Sequence, residues 1–221
     1  MSRVLELFAG HGGWSAPWAE AGHEVVTLDF DPVFETTIVA DILEVPLTDF
    51  HDFQVVLASP PCETWSIASL GHHWGTWPDG SSFRPKTPEA EVGIAILKRT
   101  VELIEYLDPR IALIENPRGA MRKSKLIPYD RRTVWYCHYG VRHAKPTDLW
   151  VRGFQMDDNL CHNRKPGHPD YCCCHDHDAA PRGAKTGTQG IGTYAERSDI
   201  PRQLAEEVMQ IALTHLPEGA P

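Results

Sequence analysis

Short apolar runs that end in turn residues recur along the chain. Val4 to Phe8 runs into Ala9-Gly10-His11-Gly12-Gly13, and Val25 to Leu28 into Asp29. Val55 to Ala58 runs into Ser59-Pro60-Pro61-Cys62, and Ile111 to Ile114 into Glu115-Asn116-Pro117. Such runs read as buried strands. Between them the period changes. Trp14 to Ala21 is compatible with a helix, Glu89 to Leu107 sets Val92, Ile96, Leu103 and Leu107 at helical spacing, and Ile200 to Leu216 does the same through Leu204, Val208, Ile211 and Leu213. Strands alternating with helices predict an α/β fold, a doubly wound, mostly parallel Rossmann-like sheet whose ligands bind beyond the carboxyl ends of its strands. Every turn sequence quoted above falls at such an end.

Two segments break the pattern. Ser69 to Pro88, rich in Gly, Pro, Ser, Trp and His, reads as a long functional or disordered loop. Asp157 to Gly192 is polar, turn-rich and dense in Cys and His. The expected organisation is a main domain over 1–150, a small insertion over 151–193, and a C-terminal helix over 194–221 returning to the main domain.

Composition narrows this picture. A length of 221 residues with 42% hydrophobic content suits one catalytic domain with a small appendage. There is no basic-then-apolar leader and no apolar run of membrane-spanning length, so a soluble cytoplasmic protein without membrane contact is expected. Six cysteines without a sign of secretion point to reduced thiols that serve catalysis or metal. A net charge of −9 argues against a protein that coats nucleic acid, since Lys and Arg supply most non-specific affinity for phosphate. It leaves room for a local basic cleft, and Arg118, Arg122, Lys123, Lys125, Arg131, Arg132, Arg142, Lys145, Arg182 and Lys185 cluster in the second half.

The first turn holds a candidate cofactor site. Glycines Gly10, Gly12 and Gly13 let backbone amides approach a ligand, and the following helix start favours a carboxylate. Asp29, ending the second strand, sits where such folds bond ribose hydroxyls, with Phe30 beside it to stack on adenine and Asp41-Ile42 to read the adenine edge. No Gly-Lys-Ser/Thr sequence or second phosphate feature occurs, so a nucleoside with a carboxylate tail fits better than a nucleotide, which points to S-adenosylmethionine (AdoMet).

Candidate chemistry lies in the later turns. Two prolines stiffen the turn that presents Cys62, and Glu115 leaves a carboxyl group at the end of a strand expected nearby. Carbon 5 of cytosine is too weak a nucleophile to attack a methyl sulfonium. A thiolate added at carbon 6 makes the ring enamine-like, and a carboxylic acid at nitrogen 3 stabilises the adduct if its pKa is raised. Cys62 and Glu115 are the two groups this scheme needs.

Three runs in this order, Leu5-Glu6-Leu7-Phe8-Ala9-Gly10-His11-Gly12-Gly13, Ser59-Pro60-Pro61-Cys62-Glu63-Thr64-Trp65-Ser66 and Glu115-Asn116-Pro117, resemble the cytosine carbon-5 DNA methyltransferases, especially compact phage-type members. The resemblance covers about residues 3 to 150 and resumes near the C-terminus. It implies an AdoMet site formed by Phe8, Ala9, Gly10, Gly12, Gly13, Asp29, Phe30, Asp41, Ile42 and Pro60, with Ser198 in the last motif, where the usual Gly-Asn is missing. Ser66 and the segment after it would close over a cytosine flipped out of duplex DNA. The family's Gln-x-Arg-x-Arg strand has no copy; Cys137 to Trp150 takes its place, and only Arg142 carries over, near the cytosine and phosphate. A short recognition site, single-subunit action and a bacterial or phage-infected host cytoplasm are the matching expectations, in self-protection or restriction-modification.

Cys161, His162, His168, Cys172 to Cys174, His175 and His177 crowd one segment. Mixed Cys and His donors at that density suit structural zinc, with Cys161, Cys172, Cys174 and His175 as the expected ligands. Arg182-Gly183 and Thr186 to Gly190 offer donors to DNA bases. Competing readings are a methyltransferase for exocyclic amines, which share Ser-Pro-Pro but need an aromatic where Cys62 stands, a tRNA cytosine methyltransferase, and an AdoMet-fold DNA-binding or regulatory module without turnover.

Overall fold

The computed structural model describes residues 1–79, 83–142, 144–161, 177 and 199–217. In chain order the elements are β1 (Arg3–Leu7), α1 (Ala16–Glu20), β2 (Glu24–Asp29), β3 (Ile38–Val39), β4 (Val55–Ala58), α2 (Leu70–His73), β5 (Trp74–Gly75), β6 (Arg84–Pro85), α3 (Pro88–Leu107), β7 (Ile111–Pro117), β8 (Asp130–Trp135), β9 (Pro146–Arg152) and α4 (Arg202–Leu213). The main sheet has seven strands in the order β3-β2-β1-β4-β7-β9-β8. The first five are parallel, while β9 runs antiparallel to both β7 and β8. This is the doubly wound, mostly parallel Rossmann-like sheet that the apolar runs predict. The chain reverses its direction of travel across the sheet between β1 and β4, and the turns after these strands therefore flank the crevice where such folds bind ligands.

Strand alternation divides the core. Val4, Val55, Leu57, Ile111 and Leu113 face α1 and α4, where Trp18, Leu204, Val208 and Ala212 are buried. Leu5, Leu7, Val56, Ala58, Ala112 and Ile114 face α3, where Leu97, Leu103 and Ile104 have no exposure. Burying each of these α3 side chains contributes about 1.5–3 kcal/mol. Helix α3 begins where Thr87 accepts from the Ala90 amide at 3.3 Å, with a proline in its first turn and Glu89 and Glu91 near its positive end. No helix among the described residues is long and apolar enough to cross a membrane.

Several boundaries differ from expectation for identifiable reasons. Helix α1 starts at Ala16 rather than Trp14 because the Trp14 and Ser15 amides donate to the Glu6 carboxylate, at 3.1 and 2.9 Å. The expected loop over Ser69 to Pro88 contains α2 and a two-stranded ladder, β5 with β6. Trp74 anchors it: its ring stacks on Trp65 with centroids 4.5 Å apart, and its Nε1 donates to the Thr64 carbonyl at 2.6 Å. From Cys137 to Trp150 only the part beginning at Pro146 is strand; Tyr136 to Tyr139 forms a 3-10 turn closed by Gly140 at φ +82°. The insertion expected over 151–193 lies mostly outside the described residues.

Gly153, at φ +82°, ends β9 against the start of β7, and a Cβ there would stand 1.7 Å from the Arg110 carbonyl oxygen. Gly153→Ala is expected to destabilise the fold by roughly 1–3 kcal/mol, read as a lower urea midpoint with an unchanged slope.

Candidate active site

Strands β4 and β7 are paired in register from Val55↔Ile111 to Ala58↔Ile114, so their carboxyl ends finish side by side. The turn after β4 carries Cys62 and the end of β7 carries Glu115. Asn116 is fully buried, and its Nδ2 donates to the Pro60 carbonyl at 2.8 Å, tying one turn to the other. A second tie follows: Ser66 bridges Gly119, and the Ala120 amide donates to the Trp65 carbonyl at 2.7 Å. Only glycine fits at 119, because a Cβ would stand 2.0 Å from the Trp65 carbonyl oxygen. The Cys62 turn is closed on its own side as well, the Trp65 and Ser66 amides donating to the Cys62 carbonyl at 3.1 and 3.0 Å. Cys62 itself is a partly exposed thiol.

Glu115 is buried at 5% exposure and accepts from the Tyr136 hydroxyl at 3.2 Å. Ser59 also hydrogen-bonds to it, and Ser59 Oγ in turn accepts from Trp14 Nε1 at 3.0 Å, so the glycine-rich turn, the Cys62 turn and Glu115 form one network. Lys145 is buried too, its ammonium 4.4 Å from the centre of the Tyr136 ring. Burial holds the Glu115 carboxyl above the usual carboxylate range, while the Lys145 charge and the bonds from Ser59 and Tyr136 pull the other way. Burial likewise holds Lys145 below the usual ammonium range, opposed by the charges of Glu115, Cys62 and Asp199. Burial, then the Glu115 charge, push the Tyr136 phenol well up. Cys62, Glu115, Tyr136 and Lys145 thus lie within electrostatic reach of one another.

Behind this group, Asp148 is fully buried and takes a bidentate pair from Arg122, Nε to Oδ2 at 2.9 Å and Nη2 to Oδ1 at 2.5 Å. Arg122 is therefore committed to holding the turn after β7 against β9, and is not part of a free basic cleft.

In the cofactor half, β1 ends in a strained turn with Phe8 at φ +58°, Gly10 at +50° and Gly12 at +75°. Glu6 holds this turn through the Trp14 and Ser15 amides, and burial pushes its carboxyl up to about 7 despite those bonds. Asp29 accepts from the Gly10 amide at 2.9 Å and from the Asp31 amide at 3.0 Å, which fixes the carboxylate and leaves each oxygen a further lone pair. Phe30 is 69% exposed, whereas Ile42 is 3% exposed and belongs to the core, so only its backbone can meet a ligand. Asp41 Oδ1 accepts from the Leu43 amide at 2.9 Å. Gly13 packs against Ile200, just before α4. Pro60 is buried between the two halves.

Sequence reasoning pairs Cys62 with Glu115, and the fold brings them together. It misses Tyr136 and Lys145. Tyr136 carries no periodic signal, lying just beyond an unforeseen strand; Lys145 is visible only as one of many basic residues. Arg142 is exposed on the turn before β9, three positions from Lys145. Ser198, Cys172, Cys174 and His175 lie outside the described residues, as do Arg182, Lys185 and Gln189; Cys161 is described and buried.

No family model matches the chain. A Frog virus 3 (isolate Goorha) protein described as a DNA (cytosine-5)-methyltransferase is 30% identical over 163 residues, covering 69% of this chain and 72% of that protein. Among solved structures, a DNA modification methyltransferase encoded within an E. coli prophage matches with TM-score 0.48 and 16% identity, over 68% of this chain and 46% of that one. The S. pombe Dnmt2 methyltransferase matches with TM-score 0.47 and 16% identity, over 72% and 52%. The chain spans about half the length of these two structures. With an identity of 30% to a relative it covers across 72% of its length, and with the Cys62 and Glu115 turns side by side, the chain belongs to the DNA (cytosine-5)-methyltransferase family.

Proposed function

We propose that this chain transfers a methyl group from AdoMet to carbon 5 of a cytosine in DNA, with Cys62 as covalent nucleophile. The observation that carries the reading is the convergence of a partly exposed thiol and a buried carboxyl group, held above the usual carboxylate range by burial, at adjacent strand ends, with a buried lysine in electrostatic reach of both. A binding module has no need of that combination. AdoMet, when bound, supplies the electrophilic methyl group. The described residues suit it: exposed Phe30 for the adenine face, Asp29 with spare lone pairs for the ribose, and the strained turn from Phe8 to Gly13 for the amino-acid tail. Ser198 would join them from before α4.

In the proposed reaction the Cys62 thiolate adds to carbon 6 and electron density moves to carbon 5, with Glu115 sharing its proton with nitrogen 3. Lys145 offers the thiolate a counter-charge, and Tyr136 fixes the Glu115 carboxyl. Arg142, exposed on the turn before β9, would meet the cytosine or its phosphate. Carbon 5 takes the methyl group, a base removes its proton, and the bond to Cys62 breaks, restoring the ring and the thiolate. Reaching both faces of the ring requires the cytosine to leave the helix, and the segment anchored by Trp65 and Trp74 would close over it.

Incubation with methyl-labelled AdoMet and duplex DNA is expected to give labelled 5-methylcytosine, and Cys62→Ala to lower that rate by about 10⁴-fold or more. Label on an exocyclic amine, or activity that survives the substitution, would overturn the mechanism. The pH profile tests Glu115. Its raised pKa means that the proton persists above the usual carboxylate range and is lost as pH rises further, so the alkaline limb of kcat/KM should fall with Glu115 ionisation. Glu115→Gln is expected to cut the rate by roughly 10²–10⁴-fold and to remove that limb while leaving the acid limb, which belongs to thiolate formation, in place.

A further inference from the structure

We propose that Cys137, His138 and Cys161 bind a structural zinc ion beside the turn that supplies Tyr136, with His177, which contacts Cys161, drawn in as the fourth ligand when the ion binds. Cys137 and His138 lie on the 3-10 turn Tyr136–Tyr139. Cys161 is brought to them by backbone pairing: the Asn159 amide donates to the Thr133 carbonyl and the Trp135 amide to the Asn159 carbonyl, both at 3.0 Å. One ligand atom from each of the three residues lies within 4.8 Å of the others. Cys161 Sγ is 3.6 Å from His177 Nε2. With zinc–sulfur bonds of about 2.3 Å and zinc–nitrogen bonds of about 2.0–2.1 Å, that spacing matches one tetrahedral S···N edge of about 3.6 Å, while His177 lies outside the close group of the other three, so the remaining edges close only as the ion binds.

Two further features favour a metal over ordinary packing. Cys137 and Cys161 are 2% and 3% exposed, and among the described residues they form a small cluster with Trp135 apart from both main cores. His138 Nε2 is buried without a hydrogen-bond partner among the described residues, a cost that coordination would remove. Two thiolates and two imidazoles suit zinc, and four protein ligands leave no open position, as in structural rather than catalytic sites. Each thiol gives up its proton on binding, two per ion. This ligand set shares only Cys161 with the one expected from sequence. The site would brace the far end of β8 and β9, one residue from Tyr136.

The test uses the full chain, purified under reducing conditions with any affinity tag removed. Elemental analysis is expected to find one zinc per chain, and Cys137→Ser and Cys161→Ser each to lose most of it. Cys172→Ser and Cys174→Ser should retain it. The cobalt-substituted, unsubstituted chain should show tetrahedral ligand-field bands with sulfur charge transfer of two-thiolate intensity, which decides the matter even if the serine variants do not fold. Absence of stoichiometric metal, a Cys137–Cys161 disulfide, or zinc that survives Cys137→Ser but not Cys172→Ser would overturn the proposal. Because metal content is the readout, failure here is distinct from failure of methyl transfer.

Discussion

The bond from Asn116 Nδ2 to the Pro60 carbonyl is the constraint on which the site depends. The parallel ladder of β4 and β7 only guarantees that two turns start side by side. What they do beyond the sheet is free until something joins them, and a buried amide that must find a partner joins them strongly. The contact at Gly119 repeats the tie a few residues on, where a backbone approach that excludes any Cβ sets how close the turns come. Cys62 and Glu115, borne on separate turns, are held at fixed spacing by these two contacts.

Desolvation then sets the chemistry. Glu115 and Lys145 are both buried, and burial moves each toward its neutral form, while their mutual attraction and the nearby thiol favour the charged pair. Asp148 shows the other outcome of burial: with a bidentate arginine and the Thr133 hydroxyl at 2.8 Å it is fully satisfied, and it serves as a structural clamp between the turn after β7 and strands β8 and β9. Of the basic residues in this region, Arg122 is used internally. Arg118 is also engaged, lying over the Trp135 ring at 5.6 Å.

The turn between β8 and β9 serves two neighbourhoods at once. Tyr136 points to Glu115, and the next two residues gather with Cys161 on the other side. A tight 3-10 turn turns successive side chains by about 120°, which is how adjacent residues reach different surroundings. Rigidity on one side is thereby passed to the other.

By itself, the sequence determined the parallel sheet, because consecutive apolar residues have no other stable place than between two covered faces, and it determined the pairing of Cys62 with Glu115, because each follows such a run. It also marked the glycine-rich turn and the exposed Phe30. Only the tertiary structure decided which side chains surround that pair. Tyr136 and Lys145 come from a hairpin whose strands mix charged and apolar residues, since one edge faces solvent and Asp148 is paired internally, so no period announces them. The grouping of Cys137 and His138 with Cys161 was hidden for a similar reason: spacing along the chain reports local crowding of donors, whereas the pairing of Asn159 with β8 joins stretches more than twenty residues apart.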